Sequence, residues 1–183
     1  FMEPKTTFAA EKKNADLMGG VKKLAIGFLI AGILSGLAAF VVNPIAGIIA
    51  LIMVPIMMVI GGIIATFIFV GILHVVAQVL GGKGEYSQLF YLDSVYYPPI
   101  AIAGSIPFIG VFLGAVLGLY GLYLLTLAIK EVYGLSTGKA VMTWIIPGVV
   151  IVVLMLVLFA AIFATVLGAA GLGALGASGA LNK

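Results

Sequence analysis

From Ile45 to Leu80 the chain runs without a single Asp, Glu, Lys or Arg. As one helix that stretch would be about 54 Å long, well beyond a hydrocarbon core of about 30 Å. Composition places the rest of the chain in the same medium. Of its residues 64% are hydrophobic and only 8% charged, with a mean hydropathy of +1.35. An ordinary soluble domain carries about a quarter charged residues. Strands of a membrane barrel alternate apolar and polar side chains, whereas these apolar runs are unbroken. The fold class is therefore all-α: a polytopic integral membrane helical bundle.

Prolines and polar breaks divide the chain. Residues 1–22 read as a polar arm, either solvated or lying on the membrane surface through Phe8, Leu17 and Met18. Phe1 ahead of Met2 reads as an addition before the natural start, and the arm has no apolar core of a cleaved signal peptide. A transmembrane domain is expected over 23–167. Its first span, Leu24 to Val42, stops at Asn43-Pro44. Pro55 is expected to divide the long run into a second span, Met57 to Leu80, and a lead-in over 45–54. That lead-in is re-entrant, interfacial or tilted, or else an extra span. A short third span, Gln88 to Gly104, contains Pro98-Pro99. The fourth covers Phe108 to Ile129, and the fifth Val141 to Leu167 with a kink at Pro147. The glycines of the tail, 168–183, argue against a stable helix there.

With five spans, every lysine except Lys183 falls on one side, and there is no arginine. By the positive-inside rule that side, with the N-terminus, is cytoplasmic. No basic cluster points to nucleic acid. The absence of cysteine excludes disulfides, thiolate metal sites and a cysteine nucleophile.

The long polar break between spans two and three carries the best candidates for function. Gly81-Gly-Lys-Gly84 reads as a hairpin. His74 and Asp93 flank it at matching depths of about 9 Å, with Gln78 one turn above His74. An ionisable group inside a span normally faces a partner or a wet cavity. The residues His74, Gln78 and Asp93 form either a proton- or headgroup-responsive site or a structural bond between two helices. Lys83 and Glu85 belong to this hairpin; Lys130, Glu131 and Lys139 belong to a second one, over 130–139. Lys130 suits the negative end of its helix dipole. The stretch Gly134-Leu-Ser-Thr-Gly-Lys139 lacks the spacing, the following Ser/Thr and the preceding strand of a phosphate loop. Gly32 and Gly36 on span one, and Gly110, Gly114 and Gly118 on span four, make small faces suited to close helix packing. Tyr86, Phe90, Tyr91, Tyr96 and Tyr97 read as an interfacial belt. One histidine and no paired-carboxylate or zincin signature leave no catalytic constellation. No metal site or cofactor is expected.

Taken together, Leu73-His74, Leu80-Gly-Gly-Lys-Gly84, Tyr97-Pro98, Ile106-Pro-Phe-Ile-Gly110 and Ile129-Lys-Glu-Val-Tyr-Gly-Leu-Ser-Thr-Gly-Lys-Ala140 carry a resemblance. In their order and spacing, over about residues 20 to 165, they resemble the Yip (Ypt/Rab-interacting protein) family of multi-span membrane proteins in its prokaryotic form. The resemblance implies five spans, a cytosolic N-terminus and, for this type of member, the cell membrane of a prokaryote. Eukaryotic members are linked to Rab-type GTPases and vesicle traffic. The arm here is shorter than their cytosolic region, which argues against a Rab-type partner. The expected role is non-enzymatic: organising membrane or partner proteins from the cytoplasmic hairpins, with lipids, other membrane proteins or further copies of the chain as partners. The alternative is a small transporter, channel or lipid scramblase using His74 and Asp93.

Overall fold

The computed structural model describes residues 4–180, among which there are six helices and no strand. They are α1 (Pro4–Lys12), α2 (Leu17–Val42), α3 (Pro44–Val79), α4 (Tyr86–Gly104), α5 (Gly110–Tyr133) and α6 (Thr137–Ala180). Local chemistry sets their ends. Asp16 caps α2, its carboxylate accepting from the Met18 and Gly19 amides. Asn43 closes α2 and caps α3, accepting from the Ile45 and Ala46 amides with Pro44 in the first turn. A single residue thus reverses the chain. Gly134 ends α5 in the left-handed conformation (φ 66°) and donates to the Lys130 carbonyl.

Four of these helices are long and apolar enough to cross a membrane: α2, α3, α5 and α6 as far as Phe163. Their outer faces carry exposed Ile, Leu, Val, Met and Phe side chains in rows, as lipid-facing helices do. α4 differs. It packs against α1, α2, α3 and α5, and buries Leu89 through Ser94 almost continuously. With Tyr91, Asp93, Ser94 and Tyr96 turned inward, it is the polar centre of an apolar bundle.

Glycines on α2 set how closely its neighbours approach. Along α3 the partners run antiparallel: Phe28 against Gly62, Gly32 against Pro55, Gly36 against Leu51 and Phe40 against Gly47. A Cβ on Gly36 would sit 2.9 Å from the Leu51 Cα, and one on Gly32 or Gly47 would collide with backbone. Along α4 the order is parallel, with Gly20 against Phe90 and Gly27 against Pro98.

Pro55 behaves differently from the expectation. Pro55 does not divide the long run, because α3 is one helix of 36 residues with Pro55 buried inside it. The lead-in over 45–54 is its first part. Pro98 and Pro99 likewise lie within α4. A proline removes one helical hydrogen bond and crowds the preceding turn. Here Pro55 and Pro98 each face an α2 glycine, so the helices pass one another without breaking.

By contacts the chain forms two compact units, one ending at Trp144 and the other starting at Ile145. The arm belongs to the first. α1 does not lie loose: Phe8 is fully buried. In the second unit α6 exposes every side chain from Val149 to Phe159 to its surroundings. A helix apolar on all sides belongs in lipid or against another membrane helix. It also continues as helix to Ala180, where the glycines led to an expectation of none. Alanine and leucine, which separate those glycines, are the strongest helix formers. Residues 181–183 of that expected tail lie outside the described residues.

Gly32→Val should therefore force α2 and α3 apart, costing about 2 kcal/mol and lowering Tm by about 4–8 °C in thermal unfolding of the detergent-solubilised protein. Gly61, which has nothing within 4 Å of an added Cβ, is the control. Gly61→Ala should leave Tm unchanged or slightly raised.

Candidate functional site

α2 and α4 begin at the end of the bundle where α3 and α5 finish, so the arm and both polar hairpins converge there. The two hairpins are fastened together. The Lys83 amide donates to the Tyr133 carbonyl (3.3 Å), and Gly84 lies against Val132, where a Cβ would approach to 2.5 Å. Lys139 Nζ donates to the Leu80 carbonyl (2.9 Å) at the negative end of α3. Lys130 Nζ donates to Thr137 Oγ1 (2.7 Å) across its own hairpin. Near the start of α6, Trp144 Nε1 donates to Thr126 Oγ1 (3.0 Å).

The arm closes over this end. Lys12 Nζ donates to the Glu131 carbonyl (2.6 Å), and Phe8 meets Tyr96 with ring centroids 6.2 Å apart. Glu11 accepts from the Tyr91 hydroxyl (2.9 Å) and pairs with Lys23 (3.4 Å), which also donates to Tyr91 (2.7 Å). Tyr91 is more than a belt residue: it ties α1, α2 and α4 together. Its position in an aromatic run gave no sign of that. Of the hairpin candidates, Lys130 and Lys139 take part through their side chains, Glu131 through its carbonyl and Lys83 through its amide, while the side chains of Lys83 and Glu85 stay exposed.

His74 and Asp93 are not joined to each other by any hydrogen bond or ion pair among the described residues. Each has a tyrosine instead. His74 Nδ1 shares a hydrogen bond of 2.6 Å with the Tyr133 hydroxyl, linking α3 to α5, and meets the Tyr86 ring edge-on at 5.9 Å. Asp93 is only 3% exposed and accepts from the Tyr96 hydroxyl one turn along (2.6 Å). Gln78 is exposed on α3 and is not drawn into either pair. Equal depth placed the two ionisable groups at one level but said nothing of the direction each helix turns them.

Asp93 instead lines a cavity of about 530 Å³ among α2, α3, α4 and α5. Phe28, Thr66, Tyr96, Tyr97 and Gly121 share its wall. Gly118 lines it too, with nothing within 4 Å of an added Cβ, whereas Gly110 and Gly114 lie against Gly104. The wall is apolar apart from Asp93, the tyrosines and Thr66, whose hydroxyl donates to the Gly62 carbonyl. Among the described residues no group of three or more His, Cys, Asp or Glu gathers as a metal site.

Double-mutant cycles by reversible unfolding should give couplings of about 0.5–2 kcal/mol for His74 with Tyr133 and for Asp93 with Tyr96. His74 with Asp93 should couple by less than about 0.5 kcal/mol.

The family model that matches this chain is described as Yip1 domain and covers residues 1–159. The matched stretch includes the docked arm, all of α2 to α5 and the first part of α6. No curated protein and no solved structure matches the chain. With the match extending over most of its length, the chain belongs to the Yip1 domain family.

Proposed function

We propose that this Yip1-family membrane protein acts without catalysis, organising membrane or partner proteins from its hairpin end on the cytoplasmic side. One observation carries the reading. The arm and two hairpins, separate in sequence, are bonded into one polar end of a bundle whose long helices carry rows of exposed apolar side chains. Such an end presents a fixed arrangement of charge to whatever meets it, with Lys83 and Glu85 at its exposed rim. In this reading α4 is a fifth span. Its 19 residues give about 28 Å of helix, and neighbouring helices shield its polar side chains from lipid. The exposed side chains of α6 from Val149 to Phe163 add a surface for lateral association.

A transport or scrambling path built from broken helices finds less support. Pro55, Pro98 and Pro99 all lie inside continuous helices, and His74 and Asp93 belong to separate hydrogen bonds.

The chain has no native cysteine, so single-cysteine variants report cleanly. Glu85→Cys and Ser136→Cys should react with impermeant maleimide only from the cytoplasmic side, and Ser105→Cys only from the other. In native membranes a photocrosslinker at Glu85 or Ser136 should give discrete adducts that one at Ser105 does not. Monomer alone at every position would count against the organising role.

A further inference from the structure

The cavity around Asp93 has no part in the hairpin-end reading, and its chemistry is specific. Along α3 its wall extends from Phe69 to Met58, about 17 Å of helix. Asp93 lies seven residues into α4 from Tyr86, about 10 Å from the hairpin end. The space is therefore a slot running into the bilayer with a carboxylate near its upper end. Its volume is within the usual range of small-molecule sites, about 300–1,000 Å³.

Among the described residues no Lys, Arg or His lines this slot, so no basic side chain of its wall faces Asp93. The carboxylate's hydrogen bond comes from Tyr96, within its own helix. A carboxylate held in a span is costly without a partner. Aromatic rings stand close by: Phe28 and Tyr97 meet edge to face at 5.9 Å, and both line the slot with Tyr96. Ring faces attract a cation in a desolvated site. A ligand with a phosphate or carboxylate head would meet a like charge and no basic group. An uncharged chain would leave the carboxylate without a counter-charge.

We propose that this slot binds a primary alkylammonium amphiphile, its ammonium group donating to Asp93 between the aromatic rings and its alkyl chain lying between α3 and α5. The probe is radiolabelled dodecylamine, added to the protein in phosphatidylcholine nanodiscs with empty nanodiscs subtracted. Saturable binding of one ligand per chain is expected, resisted by excess dodecanoate and dodecanol but displaced by unlabelled dodecylamine. Asp93→Asn, which keeps an acceptor for Tyr96, should weaken binding at least about tenfold. Gly118→Leu should abolish it by filling the slot, because nothing lies within 4 Å of an added Cβ there and the fold can accept the side chain. Equal displacement by dodecanol, or unchanged affinity in Asp93→Asn, would overturn the assignment of the ammonium group. Unchanged affinity in Gly118→Leu would overturn the assignment of the slot, and absence of saturable binding would overturn both.

Discussion

The bundle depends on how closely α2 approaches its two neighbours. Gly32 and Gly36 let it lie on the backbone of α3 around Pro55 and Leu51, and Gly27 lets it lie on Pro98 of α4. In lipid there is no hydrophobic gain from bringing two apolar helices together, so dispersion across close contacts has to hold them. Glycine provides that closeness at the positions where proline interrupts the neighbouring helix's hydrogen bonding. The same contacts explain how α3 stays continuous through Pro55 and how α4 remains straight enough to occupy the centre. With α4 in the centre, Asp93, Ser94 and Tyr96 are held among protein groups rather than lipid tails.

The polar end follows from this packing. Once α2 and α4 start where α3 and α5 finish, the chain's hairpins must share one end, and their backbone carbonyls lie within reach of lysines from the arm and the second hairpin. Lys139 reaches the carbonyl of Leu80, the residue that closes α3, and Lys12 reaches the last turn of α5. A lysine near a helix C-terminus is favoured by the dipole as well as by the hydrogen bond. Phe8 buries an aromatic ring beneath these bonds, giving the arm an apolar root in the bundle. Exposed ion pairs alone are worth little. The Glu11–Lys23 pair is only part of the connection, and Tyr91 and Phe8 hold the arm with it.

Much of this was legible in the amino-acid sequence. The membrane class, the helical fold, the two polar hairpins and the family resemblance all rest on long-range composition or on motif order, which single residues cannot disturb. The close packing at Gly32 and Gly36 could be anticipated as a small face, though not its partner prolines. Three things were beyond reach. Pro55 read as a break because its local cost is visible in sequence, whereas the glycine facing it is on another helix. His74 and Asp93 looked like partners because depth can be counted from a turn, while rotation about the helix axis depends on packing. Phe8 looked like a surface anchor because nothing in a short polar arm marks the pocket that receives it. The cavity beside Asp93 was invisible for the same reason, being made by four helices at once.

Arm and hairpins form one built surface rather than loose segments at a membrane face. Hydrogen exchange of the backbone amides of α1, followed by mass spectrometry on protein in nanodiscs, tests it most directly. Residues 6–12 should be protected for as long as the first turns of α2, and Phe8→Ala should release them while leaving α4 protected. Exchange of the wild-type arm at the rate of an unstructured peptide would contradict the account.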